Sequence, residues 1–137
     1  MAAARSFDTT DAWLLQALLY SGALTDGAEL RDVIALGDGI RDAIFSADEL
    51  RSGLSKLRAA GFLREDEGRF FVLGAARTLG QREKLSMGEH GKEVAAFLAT
   101  VKVRAGDLRV ENPDDPYPEL TDERVELATR AYLESLR

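Results

Sequence analysis

The stretch from Ile44 to Leu73 constrains the fold of this chain more than any other part of the sequence. Ser46 and Glu49 stand at the spacing of a capping box, in which each side chain accepts a hydrogen bond from the other residue's backbone N–H at the start of a helix. Gly61 tolerates the left-handed conformation with which many helices end. Between them, apolar residues recur at helical spacing and give the helix one buried face: Leu50, Leu54 and Leu57. The sequence therefore predicts an amphipathic helix here.

Two short strand-rich runs follow this helix. Phe62 and Leu63 form the first run, and residues 69–73, with the sequence RFFVL, form the second. Aromatic and β-branched residues favour strands. The polar residues 64–68 between the runs end in glycine, which is typical of a hairpin turn. The stretch therefore predicts a helix followed by an antiparallel hairpin.

This order of capped helix, glycine, strand, charged turn and strand resembles the winged helix-turn-helix superfamily, as its MarR- and PadR-like bacterial members show it. The resemblance covers roughly Thr9 to Leu79 and consists of a helix face and a hairpin. It implies a mainly α (α+β) fold, with a small antiparallel β-wing and a C-terminal helical extension. It also implies that the capped helix is the third, DNA-recognising helix. Because one fold serves many functions, the function must be argued from individual residues.

A first helix is predicted to begin near the N-terminus. Thr9 or Thr10 can cap it, Trp13 lies on its apolar face as a core residue, and Gly22 ends it. Residues 1–8 contain little that could anchor them, so we expect a flexible terminus.

A second helix is predicted over about Ala28 to Leu36, with Thr25 or Asp26 as its cap. Gly37 and Gly39 are expected to close it. Ile44 and Phe45 would then form the short first strand that pairs with the wing.

The length of 137 residues fits one domain with appended elements. A second capping box at Ser86 predicts an additional helix that either packs on the domain or dimerises it. All three prolines lie in a strap before a last helix, which Thr121 caps. The predicted organisation has four parts: a flexible terminus over 1–8, the winged-helix domain over 9–79, the additional helix over 80–110, and the strap with the C-terminal helix over 111–137.

Composition argues against several classes of function. There is no Cys and only one His, so thiolate metal sites are excluded and a cytoplasmic protein is weakly favoured. No apolar run approaches the roughly 20 residues of a membrane span. His90 with Ser86 and Glu89 reads as one turn of a capped helix, and the Asp114–Asp115 pair as part of a solvated loop. No phosphate-binding or dinucleotide motif occurs. We therefore expect no cofactor, no metal and no enzyme.

The third helix is the natural place for DNA contact. Arg and Lys can reach guanine edges in the major groove, Ser can contact phosphates or bases, and arginines that flank a wing turn can contact phosphates. The middle of the chain, which contains these residues, is mildly basic between two acidic ends. The candidate DNA-binding residues are Arg51, Ser52, Ser55, Lys56, Arg58, Arg64 and Arg69.

Other features oppose that interpretation. The net charge is −6, and the tip of the predicted wing carries Glu65, Asp66 and Glu67, which a phosphate backbone would repel. Two hypotheses therefore remain open. The first is a DNA-binding transcriptional regulator of bacterial type. The second is a winged-helix module that binds a protein partner, or a second copy of itself, without contacting DNA.

Overall fold

A computed structural model describes residues 3–5, 7–74, 76–78, 108–110 and 116–136, with the backbone alone described at residues 3–5, 41 and 108–110. In this part of the chain the fold is mixed α+β with antiparallel sheets, as the sequence predicts. The expected additional helix, with Ser86, Glu89 and His90, and the Asp114–Asp115 pair lie outside the described residues. The elements in chain order are β1 Ala3–Arg5, α1 Thr9–Tyr20, β2 Ala28–Glu29, α2 Leu30–Arg41, α3 Ala47–Ala59, β3 Leu63–Asp66, β4 Arg69–Val72, β5 Leu108–Val110 and α4 Asp122–Ser135.

The N-terminal residues carry more structure than the sequence analysis expected. β1 pairs antiparallel with β5, with Ala3 opposite Val110. Phe7 is buried, and its ring stacks on that of Phe62 at 6.4 Å between centroids. The expectation of a flexible terminus over residues 1–8 is therefore wrong for Ala3–Arg5 and for Phe7. The strand partner is about a hundred residues away in sequence, so no local pattern signals the pairing.

Helix α1 begins one residue earlier than predicted. The N-cap is Asp8 and not Thr9 or Thr10. Its side chain accepts from the backbone N–H of Asp11 at 3.0 Å, and the Asp11 side chain accepts from the N–H of Asp8 at 2.9 Å. The cap is therefore a reciprocal box in which Asp11 takes the usual place of glutamate.

The first strand of the main sheet is not where the sequence analysis placed it. Ala28 pairs with Phe70 and Glu29 with Arg69, so the sheet has the order β2-β4-β3. Ile44 and Phe45 belong to no strand. Phe45 instead turns its ring into the core, where it stacks on Trp13 with centroids 3.7 Å apart. That contact buries the Phe45 side chain, which is 2% exposed.

Helix α2 continues past both glycines that were expected to end it. It runs to Arg41 and closes at Asp42, whose φ is 56°. Its N-cap is Glu29, without a side-chain cap, and not Thr25 or Asp26. At Gly37 a Cβ atom would lie 2.3 Å from the Phe45 ring, so glycine is required by close packing and not by helix termination. The Gly37 carbonyl accepts from Trp13 Nε1 at 2.9 Å, which confirms Trp13 as a core residue.

The predictions for α3 and the hairpin are confirmed in most details. Ser46 and Glu49 form the capping box, and Gly61 follows the helix with φ 79°. The hairpin turn is shorter than the five residues predicted, because β3 extends to Asp66, which pairs with Arg69. Only Glu67 and Gly68 remain in the turn, and both have positive φ. Positive φ at both residues is required in a type I′ two-residue turn, whose backbone twist matches that of the flanking strands.

Helix α1 lies at the centre of the core, with α2 and α3 packed against it and α4 packed against α2. Thr121 caps α4 as predicted, and Tyr132 on its inner face donates to Asp38 Oδ2 at 2.6 Å. Leu136, the C-cap of α4, is 65% exposed. Among the described residues, no helix is both long and apolar enough to cross a membrane.

Candidate functional site

The residues of α3 proposed to contact DNA lie on two different sides of the helix. Lys56 lies on the side that faces α1, whereas Ser55 lies one helical turn from both Arg51 and Arg58, and both residues are buried. Lys56 Nζ is 2.6 Å from Asp11 Oδ2 and 3.7 Å from Asp8 Oδ2. The Ser55 hydroxyl donates to the Ser52 carbonyl at 2.9 Å. In this arrangement Lys56 and Ser55 are bonded inside the protein and do not present their polar atoms to a ligand.

The pKa values of Asp11 and Asp8 shift in opposite directions. Burial raises the pKa of Asp11 above its usual value, although the hydrogen bond from Lys56 opposes the rise. Partial burial also acts to raise the pKa of Asp8. There the hydrogen bond from the Asp11 N–H and the charge of Lys56 outweigh it and hold that pKa below its usual value. The cluster joins the start of α1 to the end of α3.

The outward side of α3 carries Arg51 and Arg58, and residues 116–122 lie across it. We call these residues the covering segment. Arg51 donates to the Leu120 carbonyl at 3.1 Å and to Asp122 at 2.6 Å, and also to Asp48 on its own helix at 3.0 Å. Arg58 donates to the Glu119 carboxylate. Both outward cations therefore have carboxylate partners, one each from the covering segment.

Tyr117 anchors the covering segment. Its side chain is 1% exposed, with the guanidinium carbon of Arg58 4.1 Å from its ring centroid and the Phe70 ring 6.3 Å away. Its hydroxyl donates to Glu65 Oε1 at 2.8 Å. Burial raises the pKa of Tyr117 well above its ordinary value, and the bond to Glu65 adds to the rise. Its φ is 56°, a conformation that costs a bulky residue roughly 1–3 kcal/mol and persists only where packing enforces it.

The hairpin is held by the same C-terminal region. Arg124, in the first turn of α4, donates to Glu65 Oε2 at 2.6 Å, and its guanidinium carbon lies 5.8 Å from the Phe70 ring centroid. Glu65 thus accepts from both Tyr117 and Arg124. Of the three acids predicted at the wing tip, Glu65 contacts the C-terminal region, whereas Asp66 and Glu67 are exposed.

The two arginines that flank the hairpin turn pair with carboxylates of the same chain. Arg64 lies 3.5 Å from Asp66, with its guanidinium carbon 4.2 Å from the Phe71 ring centroid. Arg69 donates to Glu29 Oε1 at 2.7 Å and to the Gly27 carbonyl at 3.3 Å. Together with the α3 contacts, every arginine and lysine among the candidate DNA-binding residues has an acidic partner within the chain.

Four residues that contact the candidate DNA-binding residues were missed by sequence reasoning: Asp11, Tyr117, Glu119 and Asp122. The three acids had one signal, the charge distribution, because both acidic ends of the chain complement its basic middle. Among the described residues, no group of three carboxylate or imidazole side chains could hold a metal ion.

Neither family models nor curated proteins nor solved structures include a match to this chain. The function is therefore argued from the arrangement of the residues themselves.

Proposed function

We propose that the chain is a winged-helix module that acts through protein–protein contact and does not read DNA with α3. The sheet order β2-β4-β3 and the packing of α2 and α3 against α1 support the winged-helix assignment. The main support for protein contact is that both outward cations of α3 are already bonded to acids of a peptide segment. Arg51 and Arg58 can therefore bind an acidic peptide. Because both are already paired with carboxylates, they attract DNA phosphates less. Asp66 and Glu67 at the exposed tip of the hairpin oppose DNA further.

The second candidate is a DNA-binding transcriptional regulator that exposes α3 when the covering segment leaves it. The observation that favours it is the position of Arg51 and Arg58 under a segment whose acidic side chains are largely exposed.

We also propose a cytoplasmic location, which the regulator requires and which a chain without cysteine suits.

Fluorescence anisotropy with a mixed-sequence duplex, at about 50 and 150 mM salt, separates the two candidates because phosphate contacts weaken steeply with salt. Three full-length proteins are compared. The intact protein has the segment in place, and Glu119→Gln/Asp122→Asn loosens it. The matched control, Glu126→Gln/Glu134→Gln, removes two acids from α4 instead, of which Glu126 pairs with Arg130 within that helix.

We expect no duplex binding by any of the three proteins at either salt concentration. Binding by Glu119→Gln/Asp122→Asn that weakens with salt, and that disappears when Arg51→Ala and Arg58→Ala are added, would refute the protein-contact proposal. It would identify the DNA-binding regulator instead.

A further inference from the structure

We propose that the face occupied by the covering segment is a docking groove for an acidic, tyrosine-containing peptide of a partner protein, which binds by displacing residues 116–122. This inference rests on the proposed function and specifies where the partner binds and what it must contain.

The groove offers three separate features to a peptide. Arg51 and Arg58 lie outward on α3, seven residues apart and therefore about two helical turns apart on the same side. Between α3 and the hairpin there is a site for an aromatic ring, bounded by the Arg58 guanidinium and the Phe70 ring. At its end, Glu65 accepts from a hydroxyl. A ligand that satisfies all three carries a tyrosine followed by two carboxylates, with the spacing found in Tyr117, Glu119 and Asp122.

The covering segment is bound in a manner that permits exchange. The side chains of Glu119 and Asp122 are 51% and 84% exposed, so water can replace Arg58 and Arg51 as their partners. Tyr117 is held at φ 56°, and release of the segment relieves that backbone strain. Tyr117 and Leu120 of the segment share the hydrophobic core with α3 and the hairpin, so a displacing peptide must supply a tyrosine and an apolar residue in their place. When the segment leaves, α3 and the hairpin keep their contacts with each other and with α1, so the groove remains.

A free peptide competes with a covering segment that is covalently attached to the protein and therefore always close to the groove. A tethered segment acts at an effective concentration on the order of millimolar, so a free peptide at micromolar concentration binds the intact protein poorly even when the groove fits it. Weakening the segment in the protein, while the peptide keeps the native residues, removes that advantage. This difference can be measured directly.

The probe is a fluorescent peptide of residues 116–124, PYPELTDER, titrated by anisotropy into full-length proteins. We expect Glu119→Gln/Asp122→Asn to bind it at least tenfold more tightly than the intact protein does, a difference of about 1.4 kcal/mol. Glu126→Gln/Glu134→Gln, which loses the same charge elsewhere on α4, should behave as the intact protein does. Adding Arg51→Gln and Arg58→Gln to the loosened variant should abolish binding, and a peptide with alanine in place of Tyr117 should not bind.

Circular dichroism first establishes that each variant is folded. Equal peptide affinity for the loosened variant and the intact protein would overturn the docking groove. So would binding that survives Arg51→Gln/Arg58→Gln or the loss of the tyrosine. If light scattering finds the loosened variant to be a dimer that the peptide dissociates, the segment exchanges between two copies, and the assignment to a separate partner is overturned.

The duplex titration on the same proteins distinguishes this failure from failure of the proposed function. DNA binding by the loosened variant refutes the protein-contact function. Absence of both DNA and peptide binding refutes the docking groove alone and leaves protein contact to another surface.

Discussion

The two sides of α3 carry the same ion-pair chemistry in opposite surroundings. On the side towards α1, both Lys56 and Asp11 are buried. On the outward side, Arg58 and Glu119 are 41% and 51% exposed. Removing one partner of a buried pair leaves an unpaired charge in the interior, whereas an exposed charge regains water. The buried ion pair on the inner side therefore stabilises the fold, whereas the exposed ion pairs on the outer side can exchange their partners.

The largest expected effect tests the inner side. Asp11→Asn retains an oxygen that can accept from the Asp8 N–H but removes the anion 2.6 Å from Lys56 Nζ. We expect a loss of about 3 kcal/mol in the free energy of unfolding, at the low end for a broken buried pair, since Lys56 remains buried with only Asp8, 3.7 Å away, as an anion. Urea denaturation measures this loss.

Asp48→Asn is the matched control, because Asp48 pairs with Arg51 on the outward side and is 94% exposed. Its effect should stay within about 0.5 kcal/mol. Equal losses from Asp11→Asn and Asp48→Asn would remove the distinction between the two sides.

An intermediate effect tests how tightly the inner side is packed. At Gly53 a Cβ atom would lie 2.5 Å from Leu14 Cδ2 and 3.2 Å from Asp11 Oδ1. We expect Gly53→Ala to lower the free energy of unfolding by about 1–3 kcal/mol through overpacking, despite the better helix propensity of alanine. Thermal or urea unfolding gives the value.

Ser52→Ala, at the neighbouring half-buried position, provides the comparison. Alanine favours the helix by a few tenths of a kcal/mol, so this variant should be neutral or slightly more stable. A stabilising Gly53→Ala would contradict the close approach of α1 and α3.

The smallest change we expect is in the pH dependence of the contact between Arg58 and Glu119 on the outer side of α3. The hydrogen bond from Arg58 holds the pKa of Glu119 below its usual value of 4.5. A depressed pKa means that this bond stabilises the attachment fully above pH 4.5 and that the contribution is lost as the pH falls through the folded-state pKa. The hydrogen-exchange protection factors of the covering segment should therefore fall on acidification below about pH 4.5, and Glu119→Gln should abolish that dependence.

The pKa of Asp11, on the inner side of α3, is shifted in the opposite direction to that of Glu119. Because burial raises its pKa, its contribution to stability is fully present below the unfolded value of 3.8 and is lost as the pH rises through the folded-state pKa. Acid should therefore loosen the covering segment, whereas protonation of Asp11 favours the folded junction of α1 and α3. A loss of exchange protection at the junction on protonation of Asp11 would contradict this sign.

Local sequence patterns correctly predict the features that depend on neighbouring residues. The capping box at Ser46, the cap at Thr121, the left-handed glycine at Gly61, and the apolar face of α3 depend on residues within one or two helical turns. Patterns over so short a distance can be recognised without the rest of the chain.

The contacts of the cations of α3 depend on residues far away in the sequence. Lys56 contacts Asp11 45 residues away, and Arg51 contacts Asp122 71 residues away. The strand at Ala28–Glu29 likewise depends on Phe70, and the Gly37 carbonyl accepts from Trp13, 24 residues away. A basic residue on a helix has the same local sequence whether it faces solvent, a buried acid or an acidic segment, because the choice is made by packing between elements that the chain brings together only when it folds.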